Sequence, residues 1–244
     1  MPHSPAPNDH VSQLLAPTGR LRVGVIPGSP LSLVESRDGG SCGLGYDLGA
    51  AFAVRLGVDV DYVSFERIAD VIMVMKSGEV DFTVSNATAA RAEHVDFSQT
   101  LISLELGYLV PAHSTLANAD EIDRPGMQIG VAKGSTSERT LPARFARAVV
   151  VPMASYTIAI DALRDRGLDA YATNKPTLYE MSDAMPGSRV LDGNWGLEHI
   201  ALAIPKGRDA GLEALKRFVA EVQANGQLRE LQERAGLRGV VAAG

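Results

Sequence analysis

The chain has 244 residues, of which 45% are hydrophobic and 21% are charged, and its formal net charge is -6 at pH 7. This length suffices for one large domain or two lobes, and the composition is that of a soluble globular protein rather than a disordered or fibrous one. Nucleic-acid binding needs a basic face that neutralises phosphates, so the net negative charge argues against a polynucleotide partner.

The apolar runs and the first residues of the chain indicate whether to expect a membrane span or a secretory signal. The runs Val71 to Met75 and Ile200 to Ile204 are far shorter than the roughly 20 residues that cross a bilayer, so we expect no membrane span. Residues 1–19 lack the basic and apolar regions of a secretory signal, and we predict a disordered N-terminal segment there. The single Cys42 has no disulfide partner, and the histidines lack metal-binding spacing, so we predict neither a metal nor a cofactor.

From Arg20 onward, short β-branched runs alternate with segments of helical period. The first half contains LRVGVIP, YDLGAAFAVRLG, VDVDYVSF and IADVIMVMKSG, and the second half repeats this order from MQIGVAKG to LDAYATN. The alternation predicts two α/β lobes. Two extended apolar segments, residues 96–112 and 195–206, are candidates for crossovers between the lobes. The last helical segment, residues 210–235, is predicted to cover one lobe with its apolar stripe.

The segment NATAARAEHVDFS contains the first candidate binding residues. Asn86 and Thr88 are good N-cap residues for a short helix, and the early N–H groups of a helix attract anions. Arg91 follows Thr88 by three residues, and its guanidinium can hold a carboxylate through two parallel bonds. The alternative is that Arg91 pairs with Glu93 or Asp96 on the surface, and the pattern alone does not separate the two.

Two further turns follow predicted strands. In the turn from Gly134 to Glu138, Ser135 and Glu138 have the spacing of a capping box, which taken alone is structural. The turn after the first strand contains Ser29 and Pro30, at a place where open α/β sheets often bind ligands. We treat Ser29 and Pro30 as candidate ligand contacts, although a structural turn explains them equally well.

Five motifs in order give a resemblance that runs from about Leu21 to the last helix. They are GYDLGAAFAVRLGV, KSGEVDF, T-x-x-R-x-x-x-V-D-F-S, GVAKGSTSE and GLDAYATN. With these motifs the chain resembles the family 3 solute-binding proteins, which serve ABC importers of polar amino acids. The resemblance implies a type II periplasmic-binding-protein-like α/β fold whose lobes are joined by two crossover strands. Lobe 1 would comprise residues 20–110 and 195–244, and lobe 2 would be the insert of residues 111–194.

The resemblance also implies a ligand between the lobes, with its carboxylate held by Arg91. The ligand-binding residues that it implies are Asn86, Ala87, Thr88 and Arg91 in the first lobe, and Ser135, Thr136 and Asn174 in the second. Donors on two lobes that bind one anion favour the closed arrangement, so the function needs no catalysis. We expect Arg91→Ala to weaken ligand binding by at least about 2 kcal/mol while the stability of the free protein stays nearly unchanged.

Three positions depart from the family pattern. Asn174 stands where members carry an aspartate that pairs with the amino group of the ligand, which favours a ligand without an α-amino group. The alternative is that Asn174 only caps the turn before Lys175. The loop from Asp81 to Arg91 is two residues shorter than usual, and Thr100 with Leu101 replaces an aromatic residue of the pocket wall.

The function predicted from the sequence is capture of a small organic anion, amino-acid-like or carboxylate, for an ABC-type importer and its permease. A monomer and a periplasmic location are expected from the resemblance. One alternative is a cyclohexadienyl-dehydratase-like enzyme, for which Glu198, His199 and Glu105 are the candidate acids or bases. Another is an intracellular, cytoplasmic ligand sensor, which the missing signal segment favours. Trp195 is interpreted as a core residue rather than a cleft residue.

Overall fold

The computed structural model describes residues 7–36 and 39–241, so the start of the predicted disordered segment lies outside the described residues. The chain divides into two compact units. Unit 1 contains the chain up to Phe65, together with Asp70–Ile102 and His199–Leu237. Unit 2 contains Glu66–Ala69, Ser103–Glu198 and the chain from Arg238 onward. No helix of the described ranges is both long and apolar enough to cross a membrane.

The elements alternate as the sequence predicts. The helices are α1 (Pro7–Leu15), α2 (Leu44–Leu56), α3 (Ile68–Ser77), α4 (Ala89–Ala92), α5 (Thr136–Thr140), α6 (Tyr156–Arg164), α7 (Lys175–Asp183), α8 (Asp209–Ala224) and α9 (Gln227–Arg234). The strands are β1 (Arg20–Val25), β2 (Val34–Glu35), β3 (Ser41–Cys42), β4 (Asp59–Ser64), β5 (Thr83–Asn86), β6 (Val95–Phe97), β7 (Ile102–Val110), β8 (Gln128–Ala132), β9 (Val149–Met153), β10 (Ala170–Asn174), β11 (Arg189–Val190), β12 (Gly196–Pro205) and β13 (Val240–Val241). Two short 3₁₀ helices lie at Ala119–Glu121 and Leu141–Ala143.

Unit 1 is built on parallel and antiparallel strands covered by helices. Strands β1 and β4 pair in parallel, and β12 pairs antiparallel with both β5 and β6. The core contains three aromatic rings in contact, with Phe52 lying 5.6 Å from Phe82 and 4.9 Å from Phe218 between ring centroids. Helix α2 therefore packs between the sheet and α8, which fixes the ends of β1 and β5, where the candidate residues lie.

Unit 2 also contains parallel and antiparallel strand pairs. Strand β10 pairs in parallel with β8 and antiparallel with β7, and β8 pairs in parallel with β9. The short strands β11 and β13 pair antiparallel with different parts of β7. One group of buried residues around Ile129 and Val131 and another around Leu109 and Tyr171 form the core. The parallel strands β8 and β10 both end at turns that carry candidate residues.

The N-terminal segment differs from the prediction. Instead of remaining disordered up to residue 19, the chain forms α1, whose last residue, Leu15, is fully buried. A Cβ atom on Gly211 of α8 would come within 2.6 Å of the Leu15 side chain, so this glycine allows the close packing. The hydroxyl of Ser12 also donates to the carbonyl of Leu56 at 2.6 Å. These long-range contacts order the segment, and its local composition does not reveal them.

The final helical segment and the unit boundaries also differ from the predictions. The segment is two helices, because Gly226 adopts φ 84 between α8 and α9. The first boundary lies after Ile102 rather than Val110, because most of β7 pairs within unit 2. The return lies after Glu198 rather than before Trp195, and the chain changes units again at Arg238. Arg238 donates to Asp183 at 2.7 Å, which ties this end of the chain to α7.

Candidate functional site

Arg91 lies in the one-turn helix α4, directly after β5. The hydroxyl of Thr88 accepts a hydrogen bond from the Arg91 N–H at 3.3 Å, so Thr88 is the predicted N-cap residue of this short helix. The Arg91 residue is only 7% exposed. Arg91 is therefore not the exposed surface residue that the alternative of a surface ion pair assumes.

The Arg91 guanidinium is held by the end of β5. Its Nη1 donates to Ser85 Oγ at 2.9 Å and to the Asn86 carbonyl at 3.2 Å. The Ser85 hydroxyl in turn donates to the same Asn86 carbonyl at 3.3 Å. These bonds orient the guanidinium, and a guanidinium can hold a carboxylate through two parallel hydrogen bonds.

The residues between β5 and α4 also extend the sheet of unit 1. The Ala87 N–H donates to the His199 carbonyl at 2.9 Å, and Asn86 Oδ1 accepts from the His199 N–H at 3.2 Å. The structure therefore places Asn86, Thr88 and Arg91 close together, and it shows that Asn86 and Ala87 both make structural contacts with the backbone of His199. Whether these residues bind a ligand stays a prediction.

The turn with Ser29 and Pro30 supports the start of α2. The carbonyls of Pro30, Leu31 and Ser32 accept the N–H groups of the first residues of α2, each at 3.0 Å. Gly43 precedes the helix with φ 144, and a Cβ atom there would come within 2.4 Å of the Ser32 carbonyl oxygen. The geometry gives this turn a structural role, because it satisfies N–H groups that a helix otherwise leaves without partners. Ligand contact by Ser29 and Pro30 stays a prediction.

In unit 2, Ser135 and Glu138 form the capping box that their spacing predicts. Ser135 Oγ accepts from the Glu138 N–H at 3.1 Å, and the Glu138 carboxylate accepts from the Gly134 N–H. Gly134 adopts φ 77, a conformation that favours glycine. The box fixes the backbone of the turn, so Ser135 and Thr136, both half-buried, are held at the end of β8.

Asn174 is the N-cap residue of α7, as the structural alternative predicts. Its Oδ1 accepts from the Thr177 N–H at 3.2 Å, and its Nδ2 donates to Glu198 Oε2 at 3.2 Å. Asn174 is 7% exposed, and Glu198 is half-buried. The Glu198 carboxylate, which belongs to β12, therefore lies next to the Asn174 amide at the end of β10.

Glu105, another candidate acid or base, lies in an ion pair. Its carboxylate contacts Lys175 Nζ and also accepts from Asn194 Nδ2 at 3.1 Å. Gly107 and Gly239 lie against the methylene groups of Lys175, where a Cβ atom would come within 3.3 Å and 2.8 Å of that side chain. Glu105 is thus part of a charged pair packed on the unit 2 sheet, which suits a structural role better than proton transfer.

Trp195 packs on the core of unit 2, in agreement with its interpretation as a core residue. Its indole N–H donates to the Gly107 carbonyl at 3.1 Å, and its ring lies 6.3 Å from that of Tyr108. Arg144 lies over the indole at 5.7 Å from the centroid. Burial raises the pKa of Tyr108 well above its usual value, so the phenol stays neutral beside these groups.

Sequence reasoning missed two contacts of the candidate residues. The serine at the end of β5, Ser85, holds Arg91 from six positions earlier in the chain. A polar residue within a buried strand was the available signal, because such a group needs a partner. The contact of Asn174 with Glu198 joins residues 24 positions apart on different strands, and no local pattern indicates it.

Comparison with known proteins identifies the kind of protein to which this chain is similar. The family model of bacterial extracellular solute-binding proteins, family 3, matches residues 21–237. The ABC transporter glutamine-binding protein of Bacillus subtilis (strain 168) is 24% identical over 165 residues, which cover 67% of this chain and 60% of that protein. The alignment thus spans less than two thirds of that relative.

Solved structures show the same fold. The solute receptor for L-cysteine of Neisseria gonorrhoeae has a TM-score of 0.81 and 25% identity, with 92% of each chain covered. An ancestral amino acid-binding protein described as a precursor of cyclohexadienyl dehydratase has a TM-score of 0.79 and 22% identity, with 91% of this chain and 98% of that chain covered. The predicted type II periplasmic-binding-protein-like α/β fold is confirmed by this likeness.

Proposed function

Because this chain belongs to the bacterial extracellular solute-binding proteins, family 3, we propose that it captures a small amino-acid-like or carboxylate ligand for an ABC-type importer. Arg91 is the proposed anchor of the ligand carboxylate. The observation that supports this role is the buried guanidinium, held at 2.9 Å by Ser85 Oγ and at 3.2 Å by the Asn86 carbonyl. These contacts orient the guanidinium, whose planar shape matches a carboxylate.

Thr88 and the capped turn of unit 2 are the other proposed donors. The hydroxyls of Ser135 and Thr136 lie at a turn whose backbone is fixed by the capping box. A charge-assisted hydrogen bond contributes about 1.5–3 kcal/mol net, so two or three such bonds contribute about 3–9 kcal/mol to ligand binding.

The partner and location follow from the family. A protein of this kind works outside the cytoplasmic membrane and delivers its ligand to a permease, and we propose both for this chain. The relatives named above are described as binding glutamine and L-cysteine. These two amino acids are therefore the first ligands to test.

Calorimetric titration of the purified protein tests ligand capture. The ligands are the common amino acids and two matched carboxylates that lack the α-amino group, namely 4-carbamoylbutanoate for L-glutamine and 3-mercaptopropionate for L-cysteine. We expect saturable binding of at least one of them with one site per chain. Native mass spectrometry of the protein as purified provides a second readout, since a tightly bound ligand is retained. The absence of binding at millimolar ligand in both experiments would contradict the proposal.

The likeness to a precursor of cyclohexadienyl dehydratase makes turnover the second candidate. Prephenate or arogenate is incubated with the protein, and the release of product is followed by chromatography. We expect no release beyond the uncatalysed rate. Product formation that Glu198→Gln abolishes would favour the enzyme over the transport protein.

A further inference from the structure

The last described residues of the chain, residues 238–241, lie against helix α7 and strand β7 within unit 2. Strand β13 pairs antiparallel with the start of β7, where Val240 lies opposite Leu104. These residues come directly after residues 21–237, which the family model matches, so the family pattern does not account for their contacts. We call residues 238–241 the C-terminal strap.

The C-terminal strap holds the last turns of α7 through Arg238. Its Nη2 lies 2.7 Å from Asp183 Oδ2 and 3.6 Å from Glu180 Oε1. The guanidinium carbon also lies over the ring of Tyr179, at 4.6 Å from the centroid. Two carboxylates and an aromatic ring of α7 thus contact one cation of the strap, which fastens the strap to this helix.

The C-terminal strap also packs against Lys175, the first residue of α7. Gly239 adopts φ 75, and a Cβ atom there would come within 2.8 Å of Lys175 Cβ, so this close approach requires glycine. The Gly239 carbonyl accepts from the Glu105 N–H at 3.4 Å, and the Glu105 carboxylate pairs with Lys175. The strap backbone therefore lies against the residue that directly follows Asn174, the N-cap residue of α7.

We propose that the C-terminal strap positions α7 and thereby holds Asn174 for ligand binding, with Gly239 and Arg238 as its positioning residues. This inference rests on the proposed function and on Asn174 as one of the ligand contacts. The Asn174 side chain is oriented by its own helix, since its Oδ1 accepts from the Thr177 N–H at 3.2 Å. A displacement of Lys175 would therefore also move the cap, and binding sites are sensitive to shifts of about 1 Å.

Gly239→Ala and Gly236→Ala form a matched pair that tests the near end of α7. The two glycines have φ 75 and φ 65, so alanine causes similar backbone strain at either position. The added Cβ meets Lys175 at position 239, whereas no described atom lies within 4 Å of it at position 236. Calorimetry uses L-glutamine or L-cysteine, whichever the wild type binds more tightly. We expect Gly239→Ala to weaken binding about tenfold and Gly236→Ala by less than about twofold.

Lys175→Gly separates positioning from general destabilisation, because it removes the Cβ atom that an alanine at position 239 would meet. We expect Gly239→Ala to weaken binding by less than about twofold when it is introduced into the Lys175→Gly variant. A loss of affinity that came only from backbone strain at position 239 would be the same with lysine or glycine at position 175. The comparison of the four proteins therefore isolates the contact between the strap and α7.

Amide hydrogen exchange reports on the start of α7 without any ligand. The Thr177 N–H donates to Asn174 Oδ1, so a displaced cap opens this hydrogen bond more often. We expect the Thr177 N–H to exchange faster in Gly239→Ala than in Gly236→Ala, as measured by nuclear magnetic resonance.

Arg238→Ala tests the far end of α7. Because its contacts lie at the opposite end of the helix from Asn174, we expect a smaller loss of ligand affinity, about threefold. Arg124→Ala is the matched control, since Arg124 pairs with Glu121 in the same unit and its side chain is 48% exposed, against 44% for Arg238. This control is expected to leave the affinity unchanged.

The outcomes distinguish this inference from the proposed function. If the wild-type protein binds a ligand and Gly239→Ala binds it equally tightly, ligand capture stands and the role of the C-terminal strap is wrong. A loss that persists unchanged in the Lys175→Gly variant, or an unchanged exchange rate of the Thr177 N–H, would equally contradict the inference. If the wild-type protein binds none of the amino acids and carboxylates tested, the proposed function fails together with the inference.

Discussion

The Arg91 guanidinium and the Ser85 hydroxyl are hydrogen-bonded at 2.9 Å, and both residues are buried, at 7% and 2% exposure. Ser85 is the penultimate residue of β5 and Arg91 lies in the next helix, α4, so the end of the strand sets the position of the cation. This contact makes Arg91 part of the folded structure of unit 1 as well as the proposed ligand anchor. We therefore expect substitutions of Arg91 to lower both ligand affinity and protein stability.

Replacement of Arg91 by lysine tests the anchor. Lysine keeps the charge but loses the planar pair of donors, so we expect ligand affinity to fall about 10- to 100-fold, or about 1.5–3 kcal/mol. Calorimetric titration with the tightest amino acid measures the loss. The control is Arg55→Ala, which removes a surface arginine paired with Glu221 in the same unit and is expected to leave affinity unchanged.

For the stability of Arg91→Ala, the structure leads to a different expectation from that based on sequence. Because the substitution removes a buried donor from Ser85 Oγ and the Asn86 carbonyl, we expect the free energy of unfolding to fall by about 1–3 kcal/mol in the absence of ligand. Urea denaturation measures this change. A stability equal to that of the wild type would show that the two contacts contribute nothing.

Asp81 is a buried charged residue of unit 1, and we expect it to contribute to the free energy of unfolding. Its carboxylate is fully buried, at 2.7 Å from Arg22 Nε and 3.1 Å from Arg208 Nη1. Asp81→Ala leaves two cations without their partner, so we expect a loss of about 3–5 kcal/mol in the free energy of unfolding. Asp59→Ala is the matched control, because Asp59 pairs with Arg20 on the surface and a loss below about 1 kcal/mol is expected. Equal losses of unfolding free energy for the two variants in denaturant titrations would contradict the expectation that the buried pair contributes more than the surface pair.

The local features of the fold could be predicted from the sequence because their signals are local. Thr88 and Ser135 cap helices at the predicted turns, and the alternation of strands and helices has the predicted order. The dipeptide Asn225-Gly226 favours a turn, but the apolar stripe continues across it and favours a single helix. Gly226 with φ 84 ends α8 there, and the stripe resumes in α9.

The contacts that join distant segments could not be predicted from one sequence. Leu15 is buried by packing against Gly211, which lies near the other end of the chain. Glu198 lies within hydrogen-bonding distance of Asn174 because β10 and β12 bring them together, and neither strand alone contains that information. Sequence motifs thus reveal the local parts of the candidate site, such as the helix caps. The contacts between distant residues become visible only in the folded structure.

Ser135→Asp separates the structural role of the capping box from ligand binding. Aspartate caps helices about as well as serine, so the free energy of unfolding is expected to change by less than about 0.5 kcal/mol. The added carboxylate would repel the carboxylate of the ligand, and we expect affinity to fall at least about tenfold. Thermal unfolding and calorimetry measure the two effects. Unchanged affinity in a stable variant would remove Ser135 from the proposed ligand contacts.

Tyr171→Phe is expected to stabilise the protein. Among the described residues, the Tyr171 hydroxyl is the buried side-chain atom that has no hydrogen-bond partner. Removing a buried, unsatisfied hydroxyl recovers its desolvation cost, so the free energy of unfolding is expected to rise by about 1–2 kcal/mol at neutral pH. Tyr62→Phe is the matched control with the opposite sign, because the Tyr62 hydroxyl donates to the Tyr46 carbonyl at 2.9 Å.

The dependence of stability on pH gives a second measurement for the same tyrosine. Burial raises the pKa of Tyr171 well above its usual value, whereas in the unfolded chain the phenol ionises near pH 10. The unfolded state therefore loses its proton first, and the stability that Tyr171 contributes is present below about pH 10 and lost as pH rises above it. We expect Tyr171→Phe to show a shallower loss of stability between neutral and strongly alkaline pH in denaturant titrations. An identical slope in wild type and variant would contradict this prediction, because it would mean that the Tyr171 phenol has the same pKa in the folded and unfolded states.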